Sequence, residues 1–373
     1  MRAKPWVAWT NVDSNGELAV ARAALRHVDG SWEAPQNLGY AGSEPPSVAI
    51  DAHGDAVVAW TRGLSPDSTV YAEFRPAGGA WEPAVILSGR AFYRDATVRM
   101  NRRGDALAVW VESDGTGRDG LVSSFRRAGT SNWTPPSPIP THDPIGGLGY
   151  YVLSFVLDEA GNATLMAQRG NGEVEAVTRT AEAADWAEPV GLGDAGSSES
   201  VLTDSWCVHP EIAMDAAGDA VVVWGGADLH AARRQVGSSA WGQSQIVARG
   251  PACFELALAI DPAGDAVAIW NASETAVTLL DASVLDATPP VLKKLVVPRL
   301  ARVGRRVRFA VTASDLWSAL ASPPLWRFGD GTNSHGLRLQ HVFRRPGRYQ
   351  VRVTAVDQAG NAATSTATVS VTA

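Results

Sequence analysis

The sequence is poor in cysteine, in lysine and in long apolar runs, and each shortage excludes a class of protein. Two Cys in 373 residues cannot build the disulfide framework of a small secreted domain. No apolar run reaches the roughly 20 residues of a membrane-spanning helix, so we expect no membrane insertion. Lysine occurs only at positions 4, 293 and 294, and the net charge is −7. Because phosphate contacts need clustered Lys and Arg, we expect no nucleic-acid partner.

The composition otherwise suits a folded, multidomain chain. Hydrophobic residues make up 45% of the sequence and charged residues 19%, which is enough apolar material for a packed core. The length predicts two or three domains, or one large β domain with an appendage. The 14 Trp are unusual, and they indicate either a ligand platform or a repeated structural element.

One ten-residue phrase recurs along most of the chain. It reads D-A-H-G-D-A-V-V-A-W at 51–60 and returns at 101–110, 215–224 and 261–270. A degenerate copy at 158–167 has Ala167 where the other copies have Trp. A second Trp recurs outside these phrases, at Trp32, Trp81, Trp133, Trp186 and Trp241.

Each unit is predicted to contain four short strands separated by Gly and Pro clusters. In one unit these are 47–50, 56–61, 69–75 and 81–87, so the second Trp opens the fourth strand. We expect Gly54 to take a positive φ in the turn, and Asp51 to accept hydrogen bonds from turn amides. A ring of metal-binding or catalytic carboxylates is the competing interpretation. The structural one is favoured because every unit carries the motif.

Four-stranded units of 46 to 57 residues are typical of propeller blades. The segment P-S-V-A-I-D-A-H-G-D at 46–55 resembles the first hairpin of several propeller families, including the NHL and sialidase-like groups. It is most similar to bacterial repeat proteins in which propeller-like units precede a polycystic-kidney-disease (PKD) domain. We therefore predict an all-β chain with a six-bladed β-propeller over residues 1–285, in which the first and last blades are incomplete.

The first and last units of the repeat region each lack one strand, and the two missing strands differ. Aligning Trp9 with Trp60 leaves the first unit without its innermost strand, and the last unit lacks a Trp-containing fourth strand. We expect that an N-terminal stretch carrying both strands, and a secretion signal, has been lost from this sequence. The alternative is a gapped ring with exposed strand edges.

A different pattern begins after a linker at 286–290. Residues 291–373 contain several short strand-like runs, which predict an immunoglobulin-like sandwich. W-R-F-G-D-G from Trp326, H-V-F from His341 and P-G-R-Y ending at Tyr349 resemble the PKD signature. The resemblance implies a spacer or adhesion module of surface or secreted proteins, and it implies no catalysis.

Two further sets of residues have alternative interpretations. Cys207 and Cys253 occupy equivalent sites on adjacent inner strands, so they form either a disulfide or two buried free thiols. Arg residues recur on the third strand, where pairing at the surface or between blades is favoured over a carboxylate clamp. The recurring residues are Arg26, Arg75, Arg126, Arg179 and Arg234. Zinc spacings, phosphate loops and a Ser/His/Asp order are not found, so no cofactor or metal site is predicted.

The loops that lead into inner strands carry the least repetitive residues, and binding residues concentrate on such loops. Aromatic side chains among Arg, Asp, Glu and His suit a sugar or a peptide, whereas ordinary loop packing is the alternative. The candidate ligand-binding residues are Tyr40, Glu44, Phe92, Tyr93, Arg94, His142, Asp143, Tyr150, Trp206, His209 and Glu255.

These features predict a non-catalytic binding or adhesion protein of a bacterium, extracellular or at the cell surface. It would act as a monomer and recognise a polysaccharide or a surface protein through the propeller loops. The alternative is a glycoside hydrolase or lyase, which needs two carboxylates about 5–10 Å apart. Glu44, Asp143 and Glu255 are the candidate acids. An intracellular scaffold is a third possibility, favoured if the Cys stay reduced.

Overall fold

The computed structural model describes residues 6–12, 19–27, 29–42, 45–63, 68–91, 96–113, 118–142, 145–146, 154–168, 173–194, 210–225, 228–250, 252–274 and 277–373. These residues form strands and turns and contain no helix, so the described part of the chain is all-β as predicted. The chain divides into two compact units, one comprising 1–259 and 268–282 and the other 260–267 and 283–373.

Consecutive antiparallel meanders, here called repeat sheets one to six, make up the N-terminal part of the chain. The strands are β1 (Trp6–Val12), β2 (Ala19–Leu25) and β3 (Gln36–Ala41) in sheet one; β4 (Ser47–Ile50), β5 (Ala56–Arg62), β6 (Ser68–Arg75) and β7 (Val85–Ala91) in sheet two; β8 (Thr97–Met100), β9 (Ala106–Ser113), β10 (Arg118–Arg126) and β11 (Ser137–Ile139) in sheet three, where β12 (Ile145–Gly146) also pairs with β10; β13 (Ser154–Leu157), β14 (Ala163–Gln168), β15 (Glu173–Arg179) and β16 (Val190–Asp194) in sheet four; β17 (Glu211–Met214), β18 (Ala220–Trp224), β19 (Asp228–Arg234) and β20 (Gln245–Arg249) in sheet five; and β21 (Ala252–Ile260), β22 (Ala266–Glu274) and β23 (Val277–Leu285) in sheet six.

Within each sheet the strands pair in chain order. Sheets two and three are joined through one pairing, Ala91 with Glu112. Among the described residues, sheets one and six have three strands, sheets two, four and five have four, and sheet three has four and the additional two-residue strand β12. Repeated four-stranded meanders of this kind define a propeller-like architecture. Closure into a ring of six blades stays a prediction.

The predicted turn chemistry is confirmed in the repeat phrase. The Asp51 carboxylate accepts hydrogen bonds from the backbone N–H groups of His53, Gly54 and Asp55 at 2.8–2.9 Å. A positive φ occurs at the equivalent glycine of every copy, namely Gly54, Gly104, Gly161, Gly218 and Gly264. The structural role of the first Asp is therefore sufficient to explain its recurrence.

The second acidic or amide side chain of the phrase makes another repeated contact. Its Oδ1 accepts a hydrogen bond from a backbone N–H two residues after the third strand. The pairs are Asp55 with Ala77, Asp105 with Ala128, Asn162 with Ala181, Asp219 with Val236 and Asp265 with Ala287, at 2.6–2.9 Å. This bond joins the turn before the second strand to the turn after the third.

The core lies between successive sheets. Val58 and Trp60 of sheet two pack on Ala21 and Leu38 of sheet one, and apolar clusters of the same kind link sheets two to three, three to four, and four to five. Second strands contribute heavily because they are buried on both faces, as the sequence predicts. Fully packed indole rings such as Trp110 therefore serve as structural cores of the repeat.

Three of the five recurring Arg residues, Arg75, Arg126 and Arg179, make contacts with the preceding sheet, in agreement with the interpretation of pairing between blades. The guanidinium carbon of Arg126 lies 3.6 Å from the centroid of the Phe74 ring in the preceding sheet. Arg179 lies over Phe125 in the same way, at 4.9 Å. Burial lowers the pKa of Arg126 despite nearby carboxylates, including Glu82. Buried cation–π contacts of this kind stabilise the stacking of sheets.

One predicted strand boundary is wrong. The second recurring Trp does not open the fourth strand: β7 begins at Val85, four residues after Trp81. The residue after this Trp instead donates its N–H to the third strand, as Glu82 does to the carbonyl of Phe74. The Trp therefore belongs to a tight connection that is anchored before the strand begins.

The C-terminal part forms two further sheets that pack face to face. The three-stranded sheet contains β24 (Val291–Val296), β26 (Arg306–Ser314) and β29 (Arg338–Val342). The five-stranded sheet contains β25 (Leu300–Arg302), β27 (Leu325–Arg327), β28 (Asn333–His335), β30 (Gly347–Val356) and β31 (Ala362–Thr372). Trp326, Phe309 and Phe343 lie in the core between them, which confirms an immunoglobulin-like sandwich.

Candidate functional site

Two of the predicted ligand-binding residues can be placed with their side chains. Tyr40 lies near the end of β3, and His142 follows β11. Each lies where the last main strand of its sheet ends, before the chain passes to the next inner strand, so both lie on the same edge of the repeat sheets. Eight predicted residues fall outside the described ranges: Glu44, Phe92, Tyr93, Arg94, Asp143, Tyr150, Trp206 and His209. Cys207 also falls outside them, and for Cys253 and Glu255 only the backbone, on β21, is described.

The Tyr40 ring is 51% exposed. The guanidinium carbon of Arg62 lies 5.2 Å from its centroid, and the backbone carbonyl of Tyr40 accepts a hydrogen bond from Trp60 Nε1 at 3.1 Å. The strand is therefore fixed, and the half-exposed ring has the Arg62 guanidinium over one of its faces. An aromatic ring of this kind offers apolar contact to a ligand at a small cost in conformational entropy.

His142 is held by a buried carboxylate. Its Nδ1 lies 2.8 Å from Oε2 of Glu175, whose side chain is only 1% exposed, whereas the imidazole itself is about half exposed. A carboxylate partner favours the tautomer that is protonated at Nδ1, so Nε2 is left to interact with a ligand. The contact crosses from sheet three to sheet four and fixes the orientation of the ring.

The buried Glu175 occupies a position that in two other sheets holds an aromatic ring stacked on the Trp of the second strand. In sheet two, Trp60 on the second strand stacks on Tyr71 of the third, with centroids 5.6 Å apart. In sheet five, Trp224 stacks on His230 at 5.7 Å. Sheet four has Ala167 in the register opposite Glu175. The degenerate copy has thus lost the stack and gained a carboxylate that orients His142.

A second pair of hydrogen-bonded polar side chains, Ser154 and Glu211, lies at the starts of the inner strands β13 and β17. Ser154, the first residue of β13, donates its hydroxyl to Oε2 of Glu211 at 2.7 Å and accepts the N–H of Ile212 at 3.1 Å. Glu211 is the first residue of β17. Burial raises the pKa of the Glu211 carboxyl, whereas the Ser154 hydroxyl and the Arg99 guanidinium oppose that shift.

The sequence analysis did not single out Glu175, Ser154, Glu211 or Arg99. The substitution of Ala167 for Trp was visible, but the position of Glu175 opposite it follows from strand register. Tyr40 provides an aromatic ring in sheet one, His142 an imidazole nitrogen between sheets three and four, and the Ser154–Glu211 pair hydrogen-bonding groups between sheets four and five. This combination suits a ligand that has both hydroxyl groups and apolar C–H faces.

Asp286, Asp315 and Asp357 of the C-terminal unit are the group of described residues best placed to hold a cation. One carboxylate oxygen from each lies within 4.8 Å of the others. Carboxylate oxygens are ligands that hard cations prefer. Two of the three carboxylates also accept hydrogen bonds from neighbouring side chains: Asp286 Oδ2 from Ser318 at 2.6 Å, and Asp357 Oδ2 from Asn361 at 3.1 Å.

The comparisons with known proteins agree with this architecture at the C-terminal end. Residues 287–373 match the PKD domain family, so this segment is a PKD domain. The chain is therefore a propeller-like repeat protein with a C-terminal PKD domain. A search of curated proteins gave no match.

Solved structures that resemble the chain do so at low overall similarity. The PKD1 domain of the Vibrio cholerae metalloprotease PrtV is 29% identical over 23% of this chain and 100% of its own, with a TM-score of 0.20. The six-bladed lectin of Aleuria aurantia is 11% identical over 78% of this chain and 98% of its own, with a TM-score of 0.41. The Hadza microbial sialidase Hz136 is 12% identical over 71% of this chain and 59% of its own, with a TM-score of 0.41.

None of the described residues belongs to a helix that is long and apolar enough to cross a membrane.

Proposed function

We propose that the protein is a non-catalytic carbohydrate-binding protein, and that its ligand lies on the edge carrying Tyr40 and His142. The observation that carries the proposal is the orientation of His142 by the buried Glu175. Burial of a carboxylate costs free energy unless hydrogen bonds compensate it, and the other sheets show that the fold does not require one there. A fixed imidazole next to solvent is suited to hydrogen-bond a sugar hydroxyl.

The exposed Tyr40 ring supports the same ligand class. The C–H face of a sugar ring packs on aromatic side chains, and a neighbouring guanidinium donates to its hydroxyl groups. PKD domains occur in extracellular proteins, which agrees with a ligand met outside the cell. We therefore propose an extracellular or surface-bound protein that acts as a monomer in adhesion.

A glycan and polysaccharide array with matched variants tests this function. Glu175→Gln keeps the size of the side chain but loses the charge that orients His142, so we expect binding about tenfold weaker. His142→Ala should weaken binding at least as much. Glu182→Gln makes the same change in charge on an exposed side chain of the same region, and it should bind like the parent protein.

Three results would contradict the proposal. The first is that the parent protein binds no sugar on the array. The second is that Glu175→Gln and Glu182→Gln bind equally well. The third is the release of shorter oligosaccharides from a bound polysaccharide, which would favour the alternative of a glycoside hydrolase or lyase.

A further inference from the structure

The net charge of the chain is the sum of two regions whose charges have opposite signs. Residues 287–373 contain 13 Lys and Arg but only three Asp and no Glu, so the PKD domain carries a charge of +10. The preceding 286 residues contain 19 basic and 36 acidic residues, which gives −17. A basic domain of this strength predicts an anionic partner, although the average over the chain predicts none.

Three of the 13 basic side chains lie close together on the outer face of the five-stranded sheet. Arg327 of β27 lies directly opposite Arg352 of β30, and Arg348 is two outward positions further along the same strand. All three side chains are exposed. Like charges directly opposite each other destabilise a sheet, so an anion bound between them would relieve an existing repulsion.

Hydroxyl and amide side chains fill the rest of this face. Opposite Arg348, Gln350 and Arg352 stand Ser370, Thr368 and Thr366 of β31. We call the outer side of β30 and β31, with Arg327, the arginine face. It contains no acidic residue, and it offers donors and acceptors along two neighbouring strands.

The acidic side chains of the PKD domain do not neutralise these arginines. Asp330 accepts hydrogen bonds from Thr332 and pairs with His341 at 2.7 Å. Asp315 Oδ1 accepts a hydrogen bond from the N–H of Trp317 in its own turn, and Asp357 Oδ1 accepts one from the N–H of Asn361. Within residues 287–373, all of which are described, no Lys or Arg forms an ion pair with a carboxylate.

We propose that the arginine face binds an anionic polysaccharide that carries sulfate or carboxylate groups. Guanidinium groups match the planar, two-oxygen geometry of these anions, and the rows of Thr, Ser and Gln can hydrogen-bond the sugar hydroxyls between them. This site is separate from the edge that carries His142, and it does not depend on the function proposed for that edge.

The chemistry of the face favours a polysaccharide over a nucleic acid. Single-stranded nucleic acids are bound by aromatic side chains that stack on bases, and the outward positions of β30 and β31 hold none. Sequence is read in duplex DNA by elements that enter a groove, whereas this face is the broad side of a five-stranded sheet.

Binding of the full-length protein to dextran sulfate, polygalacturonate and neutral dextran tests the proposal. The first two probes separate sulfate from carboxylate recognition, and the third controls for the backbone. We expect binding to at least one anionic probe that weakens as salt rises, and none to neutral dextran. The triple variant Arg327→Gln, Arg348→Gln, Arg352→Gln should bind at least tenfold more weakly.

The opposite sheet supplies a control with the same loss of charge. Arg306, Arg308 and Arg338 are exposed on β26 and β29, and changing all three to Gln should leave most of the binding intact. Equal losses in the two triple variants would refute a specific face. Failure to bind either anionic probe would also refute the proposal, as would tighter binding to a duplex DNA probe. His142→Ala should not affect these measurements, so the two binding proposals can fail independently.

Discussion

Replacing Glu73 with Gln should stabilise the protein at neutral pH. Glu73 lies on β6 and is 7% exposed, with its side chain between Tyr71 and Arg75 on one side of the strand. Other repeat sheets fill the corresponding position with small or apolar residues, namely Ala24, Ser124, Val177 and Ala232. Burial raises the pKa of the Glu73 carboxyl from 4.5 to about 7.

The magnitude and the sign follow from proton linkage. The folded chain binds the proton more tightly than the unfolded chain, so this group favours folding most below pH 4.5. That contribution is lost as the pH rises through 7. The difference between the two pKa values corresponds to about 3 kcal/mol in the free energy of unfolding.

Urea denaturation followed by tryptophan fluorescence at pH 5 and pH 8 measures the effect. We expect the free energy of unfolding of Glu73→Gln to exceed that of the parent protein at pH 8 by up to about 3 kcal/mol, and the two proteins to differ less at pH 5. Glu182→Gln, on an exposed side chain, controls for the loss of one negative charge. Parallel pH profiles for the parent and Glu73→Gln would refute the reasoning.

Three further substitutions test the repeat contacts. Gly104→Ala should lower the free energy of unfolding by about 1–3 kcal/mol, because Gly104 has a positive φ and its added Cβ would lie 3.0 Å from a carboxylate oxygen. Gly129→Ala, which has open space around it, should lower the free energy of unfolding by less in the same urea titration. Arg126→Met should cost about 1–2 kcal/mol through loss of its buried stacking on an aromatic ring, and an unchanged urea midpoint would contradict this. Asp265→Ala should lower the melting temperature of the C-terminal unit, because Asp265 Oδ2 accepts the hydroxyl of Thr288 and Oδ1 accepts its N–H. A calorimetric scan that matches that of the parent protein would count against this prediction.

The repeat was predictable because its chemistry is local. The Asp51 carboxylate binds amides two to four residues away, and Gly54 takes the positive φ within the same turn, so a short phrase specifies the hairpin. The inner strand at 47–50 is found with the predicted bounds. The Trp81 connection was misassigned because its anchor, a bond from Glu82 to Phe74, lies between residues that the pattern does not mark.

The candidate site was less predictable because its contacts join distant residues. His142 and Glu175 are 33 residues apart and lie in different sheets, so only strand register brings them together. The loss of Trp at Ala167 was a local signal, but the sequence did not show that Glu175 lies opposite it. The arginine face was overlooked for another reason: the acidic repeats cancel the basic PKD domain in the net charge.

The bond between Asp265 and Ala287 has a consequence for how such chains can be extended or shortened. In earlier copies the equivalent carboxylate or amide binds a turn that leads into a fourth strand, whereas Asp265 binds the first residues of the PKD segment. Asp265 Oδ1 accepts backbone N–H groups, which nearly every amino acid provides, and its Oδ2 also accepts the Thr288 hydroxyl. Because the backbone part of this contact requires no particular residue after the third strand, a different module could be joined at this point by protein engineering without losing it.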